Sequence, residues 1–319
     1  MVMALPEHPP KRPLAWHLQA LDYGLVLPLL ARLPLRWGAW LSRCRGRLHA
    51  RLGRDWAELS LGMTYIGGRT AQAAKRLWPE GSASEVVRER YVQVAREEWH
   101  GMLIQKNRLR DLSLDLNHLR QMLKHRDKAR GLVVLTAHFD SFIVGMLGLG
   151  LCGERTSVTT SNVYKNIQVH PAVQNFFDRK YRAGEQHLCG GQFLHVETST
   201  RSLMKALRRH ETVAVVADAP ATANGSGTWL TWLGAERKLA DGALRMALET
   251  HSQLCAMVCV TDATGGLHWL CSEIHDPQTD PLSAQKCFAH LEQAILDYPG
   301  RWWAAHLLND YPCRSIGDD

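Results

Sequence analysis

Residues 132–137 read Leu-Val-Val-Leu-Thr-Ala, an unbroken apolar run rich in β-branched side chains between Gly131 and His138. Six residues are too few for a buried helix, and the absence of polar alternation means that both faces of the strand must be covered. A strand of that kind belongs in the middle of a sheet with helices on either side. Residues 212–216 and 254–261 have the same character, 156–160 is a further strand, and 262–266 forms a turn leading to a strand over 267–274. Helical patterns separate them at 141–151, 170–181, 198–209 and 239–252, and two more close the chain at 283–296 and 301–309. This alternation predicts an α/β fold with a mainly parallel central sheet flanked by helices. Before it the pattern is helical: Val87, Tyr91, Val94, Ala95, Trp99 and Met102 share one face, and 111–125 forms a further helix. The chain therefore divides into an N-terminal helical region, 1–125, and an α/β core, 126–319, with a loose Pro-rich start over residues 1–12.

Charge and tryptophan narrow the surroundings. A net charge of +7 points to acidic partners, and 11 Trp among few other aromatics suit a boundary between apolar and wet phases. Residues 14–50 combine Leu, Pro and Trp with Arg32, Arg36 and Arg43, the pattern of helices lying in a membrane interface. The longest apolar stretch there, residues 23–31, is too short to span and contains Pro28, so attachment is expected to be peripheral or monotopic. A hairpin packed on the core would read similarly. The first residues show no apolar signal-peptide core. Basic residues are scattered rather than interleaved with aromatics, which argues against nucleic acid as a partner. The eight cysteines form no CxxC pair; Cys255 and Cys259 lie in an apolar run as buried thiols, and no metal site is expected.

Chemistry concentrates where the first strand ends, in Thr136-Ala137-His138-Phe139-Asp140-Ser141. Ligands of α/β folds gather at the carboxyl ends of strands. A neutral His138 there can take a proton from an attacking hydroxyl, and backbone N–H groups at the following helix start can steady an oxyanion. Equally, His138 can be a hydrogen-bonded structural residue, with Asp140 or Ser141 capping the helix. Tyr164 and Lys165 follow a strand end and are candidates for an acceptor pocket, and 224–227 makes a loop that could cover the site.

Several blocks, in order, resemble the lipid A late acyltransferases, the lauroyl and myristoyl transferases. They are the Leu/Pro/Trp-rich N-terminus, 131–139 around His138, 202–211 followed by Val215-Val216-Ala217-Asp218, Trp232-Leu233-Gly234 with Leu239-Ala240, and 298–306 with Trp302-Trp303. The resemblance implies a catalytic His138 moving a fatty acyl group from acyl-carrier protein or acyl-CoA to a hydroxyl, or an amine, of a glycolipid-like or other acceptor, with no cofactor. It also implies a place on the cytoplasmic face of a bacterial inner membrane. The family's acidic residue, five positions after the His, falls on Ile143. Asp140 is the near replacement if 138–140 stays extended, since residues two apart then share a side. Asp218 is the second candidate, and otherwise belongs with Ser141 and Tyr164 on the substrate side. Two further readings remain: a degenerate relative that binds lipid or a partner without catalysis, and a metal-dependent hydrolase, from the His-x-Asp-Ser element that two-zinc aminopeptidases share.

Overall fold

The computed structural model describes residues 14–221 and 225–314; the loose start expected over 1–12, and Asn224 of the expected loop, lie outside them. Among the described residues the α-helices run in the order α1 (Leu14–Leu21), α2 (Leu27–Leu30), α3 (Leu35–Leu52), α4 (Trp56–Leu61), α5 (Ile66–Leu77), α6 (Ala83–Gln105), α7 (Asn117–Lys124), α8 (Phe142–Leu151), α9 (Pro171–Gly184), α10 (Thr200–Arg208), α11 (Gly242–Glu249) and α12 (Ser283–Asp297). The strands are β1 (Leu114–Asp115), β2 (Leu132–Thr136), β3 (Thr156–Thr160), β4 (Phe193–His195), β5 (Thr212–Val216), β6 (Thr228–Trp232), β7 (Ala235–Leu239), β8 (Gln253–Thr261), β9 (Leu267–Cys271) and β10 (Cys313–Arg314).

Seven strands form one sheet in the order β1-β9-β8-β2-β5-β3-β4, parallel throughout except where β9 turns back on β8. The α/β architecture with a mostly parallel sheet is as the apolar runs require. Successive side chains of β2 go to opposite layers: Leu132 and Val134 pack with α8, α9 and the N-terminal helices, whereas Val133 and Leu135 pack with α10 and α12. β8 repeats the division, Cys255, Met257 and Cys259 facing one layer and Ala256, Val258 and Val260 the other. Cys255 and Cys259 are buried free thiols, as their apolar run suggests.

Two expectations change, and a hairpin is unforeseen. The helix expected over 111–125 is confined to α7, with Leu114–Asp115 in the sheet as β1. Residues 228–239 form an antiparallel hairpin, which β10 joins in a second, three-stranded sheet. Residues 301–309 are not an α-helix, because Trp302 pairs as a short antiparallel bridge with Phe139 and only Ala305–Leu307 coils, as a single 3-10 turn.

The N-terminal helices share the core of the sheet: Tyr23, Leu27, Leu30 and Ala31 belong to the same apolar cluster as Val134 and Ile143. Arg45 ties them to α6, its guanidinium bridging Asp22 and the buried Glu98. α3 lies close against α6 along Gly38, Ser42 and Gly46, spaced four residues apart, and Ser42 Oγ donates to the Ala95 carbonyl at 2.9 Å. A Cβ on Gly46 would stand 2.6 Å from the Val92 Cα. Backbone on both sides cannot yield, so Gly46→Ala is expected to destabilise the protein by about 1–3 kcal/mol, read as a lowered urea midpoint.

Candidate active site

Strand β2 ends at Thr136, Ala137 turns into the core, and His138 emerges on the opposite side with its side chain 37 % exposed. Next to β2, strand β5 ends at Val216, Ala217 is likewise buried, and Asp218 follows. Because β2 and β5 pair in parallel with Thr136 opposite Val216, two more steps along each chain set His138 opposite Asp218. The imidazole Nδ1–H donates to Asp218 Oδ1 at 2.8 Å, and the His138 backbone N–H donates to Oδ2 at 2.8 Å. Trp302 Nε1–H donates to the same Oδ2 at 2.7 Å, and the Tyr311 hydroxyl holds the Asp218 carbonyl at 2.8 Å.

Asp218 is thus fully buried and fully engaged. Burial disfavours its charge, but His138, Trp302 and the backbone N–H outweigh that and hold its pKa below the ordinary carboxylate value. For His138 burial likewise disfavours the charged form, yet the Asp218 charge and hydrogen bond, with a smaller contribution from Glu97, raise the imidazole above its usual value. A neutral ring that donates Nδ1–H to a carboxylate keeps the Nε2 lone pair for other work. The rings of Phe142 and Trp303, each 5.4 Å from the imidazole by centroid, fix its plane.

His138 is on the wall of a cavity of about 650 Å³. Its apolar part comes from Trp56, Leu61, Met63, Ile66, Val94 and Leu307. Its polar part comes mainly from the loops at the carboxyl ends of β3 and β4, with Ser161, Asn162, Lys165 and Glu197. The size suits a small-molecule or chain-like ligand, and the position is where α/β folds bind one. Deeper in the wall Arg90 Nη1 is paired with Asp55 at 2.7 Å, and burial pushes the imidazole of His306 down to about 4, so it stays neutral.

No family model matches the chain, and no curated protein matches it.

The other expected site residues are elsewhere. Asp140 has φ +44°, a left-handed turn that swings its carboxylate away from the ring. There Thr261 donates to it through N–H and hydroxyl at 2.8 Å each, Arg301 pairs at 2.7 Å and Arg96 at 3.2 Å. The expectation that Asp140 orients His138 is therefore corrected: the side-by-side placement of residues two apart fails once the second has positive φ. Asp218 is correspondingly the ring's partner and does not line the His138 cavity. Ser141 is buried with its hydroxyl 2.8 Å from His100 Nδ1, so neither it nor the start of α8 lines the cavity to offer oxyanion donors. Tyr164 is also buried, donating to Asp178 at 2.9 Å, and of that pair only Lys165 reaches the His138 cavity.

Trp302 and Tyr311, which hold Asp218, carry no sequence signal of that role beyond their place in and just after the Trp-rich block. Glu97 carries no such signal either. It is buried on α6, 3.6 Å from Lys180 Nζ, and burial outweighs that cation to push its carboxyl up to about 7. Among the described residues no three His, Cys, Asp or Glu side chains gather as metal ligands.

Proposed function

We propose that the protein is an acyltransferase, related in design to the lipid A late acyltransferases, that moves a fatty acyl group from a thioester to a hydroxyl. The observation that carries this reading is the His138–Asp218 pair, which presents Nε2 to a largely apolar cavity. In the step, Nε2 takes the proton of the acceptor hydroxyl as its oxygen attacks the thioester carbonyl. The C–S bond then breaks, and the imidazolium returns the proton to the leaving thiolate. Ser161 donates its hydroxyl to Glu197 at 2.7 Å, so Lys165 and the Asn162 side-chain amide are the donors in the same cavity for the carbonyl oxygen, and the apolar wall suits the acyl chain. The donor is acyl-carrier protein or acyl-CoA, and the acceptor a hydroxyl-bearing lipid or glycolipid. Asp218 supplies the carboxylate that Ile143 lacks, which favours catalysis over a role confined to binding.

A membrane surface is the natural source of such an acceptor. Leu14, Leu18, Leu21, Leu25 and Leu29 are exposed at helical spacing, and α3 adds exposed Trp37, Trp40, Leu48 and Leu52. None of the described residues covers these side chains, and none of the described helices is long and apolar enough to cross a membrane. We infer that the strip lies in the interface of a bilayer, on the cytoplasmic side of a bacterial inner membrane. Trp37→Ala with Trp40→Ala is expected to weaken vesicle binding at least tenfold, roughly what removing two interfacial indoles implies, as measured by flotation.

The deciding experiment is acyl transfer from acyl-carrier protein and from acyl-CoA to hydroxyl-bearing lipid acceptors, wild type against His138→Ala. A fall of about 10²–10⁴ is expected from loss of the base. Transfer unchanged by the substitution would end the proposal.

A further inference from the structure

On the side of α6 turned away from the His138 cavity lies a second cavity of about 230 Å³, lined largely by apolar side chains but with three arginines against one acid, Asp111. Arg36 and Arg43 of α3 form one wall, and Arg96 and His100 of α6 form the floor. The turn at Thr264, Gly265 and Gly266 between β8 and β9 closes the third side.

Arg36 and Arg43 are seven residues, about two turns, apart and therefore share a flank of α3. Both are exposed, and neither has an ion pair or hydrogen bond with a described residue. Arg96 is held in place, its Nη1 reaching Gln93 at 2.9 Å and Asp140 at 3.2 Å, which leaves its other guanidinium donors unclaimed. His100 is kept neutral, burial first and Arg96 second bringing it down to about 3. The acids nearby are already committed: Asp111 is paired with Arg108 at 2.6 Å, and Asp262 accepts from Thr264 and Gly266 within its own turn. The cavity thus offers two guanidinium groups with no ion pair to a described residue, Arg36 and Arg43, beside a third, Arg96, that is paired with Asp140 and has further N–H donors; a compact anion would meet all three. Guanidinium forks match phosphate oxygens in geometry as well as charge.

What brings that anion is indicated by the neighbouring flank of α3. Trp37 and Trp40 are 61 % and 53 % exposed and stand edge to face at 6.1 Å, beside the arginines on the same helix. Indoles of this kind settle at the level of lipid headgroups, which puts the mouth of the basic cavity at the depth of the phosphates. We propose that this cavity, formed by Arg36, Arg43 and Arg96, binds the headgroup phosphate of an anionic phospholipid. The inference rests on the bilayer attachment proposed above and not on the acyltransferase step.

The test uses the full chain and flotation with phosphatidylcholine vesicles, with and without phosphatidylglycerol. Binding of wild type to phosphatidylcholine alone, and its loss in the Trp37→Ala and Trp40→Ala pair, reports the attachment itself. The gain on adding phosphatidylglycerol reports the site. Arg36→Gln with Arg43→Gln is expected to erase about tenfold or more of that gain, while Arg47→Gln with Arg51→Gln, the same charge change lower on α3, keeps most of it. Equal losses in the two pairs would mean a diffuse basic surface and overturn the site. A wild type that gains nothing from phosphatidylglycerol would overturn it also, whether or not it binds neutral vesicles. A parallel titration with inorganic phosphate, followed by tryptophan fluorescence, separates the sources. Saturation abolished by Arg36→Gln and Arg43→Gln, without any lipid-dependent gain, would make this a site for free phosphate and refute the headgroup assignment.

Discussion

Asp218→Asn is expected to slow acyl transfer by as much as about 10⁴, the cost seen when a carboxylate that fixes a catalytic imidazole becomes an amide. Oδ1 accepts from His138 Nδ1 and Oδ2 from both the His138 backbone N–H and Trp302. An amide has one acceptor oxygen. If Trp302 and the backbone keep it, the NH₂ group faces Nδ1, the ring must accept there, and Nε2 carries the proton instead of the lone pair. The pH dependence gives a second, independent readout. A general base works when neutral, and Asp218 holds the imidazolium up, so wild-type kcat/KM should rise with pH through a value above 6.5 and then level off. Removing the negative charge leaves burial, which favours the neutral ring, and the limb should move to lower pH. A residual rate within tenfold of wild type, with an unmoved limb, would show that this pair is not the machinery.

Asp140→Ala is expected to cost about 3–5 kcal/mol of folding stability, because it strands charges that now neutralise one another at the edge of the core. Arg96, Arg301 and two donors of Thr261 converge on this one fully buried carboxylate. Burial raises its pKa, but the two arginines and Thr261 outweigh that and hold it below its ordinary value. A depressed folded pKa means that the contribution is fully present above the unfolded carboxylate value near 4 and is lost as pH falls through the folded one. Urea midpoints at neutral pH and in this acid window should therefore converge between wild type and Asp140→Asn as the pH drops. A neutral-pH midpoint unchanged by Asp140→Ala would contradict the reading of this residue as a structural charge.

The long apolar runs made β2, β5 and β8 legible because strands buried on both faces carry no competing pattern. Helix α6 was legible from its spacing. The hairpin of β6 and β7 was not, since Trp229, Trp232 and Lys238 give it too short and irregular an alternation. The segment after Arg301 has helical composition, but pairing with the chain at Phe139 overrides local preference there. In the site, His138 could be named from its place at a strand end, whereas the choice between Asp140 and Asp218 could not be made. It depends on the sign of one φ angle and on which strand neighbours β2, and both are decided by packing rather than by residue type. Glu97 and the cationic cavity beneath α3 need elements far apart in the chain to meet, so no local window contains them.

The matched endings of β2 and β5, an apolar strand, then Ala, then the reacting or orienting side chain, carry a lesson for recognising kin. His138 and Asp218 stand 80 positions apart, and the chain between the end of β2 and the start of β5 loops away and returns without setting how the two meet. Insertions, deletions or even a re-ordering of that excursion would leave the dyad intact, while a single added residue at either strand end would break it. A signature written as a fixed count from the histidine stops at Ile143 and judges the chain disarmed. One written as two neighbouring strands that finish in step finds the acid, and would trace the same histidine–carboxylate pair across sequences whose intervening lengths have drifted beyond alignment.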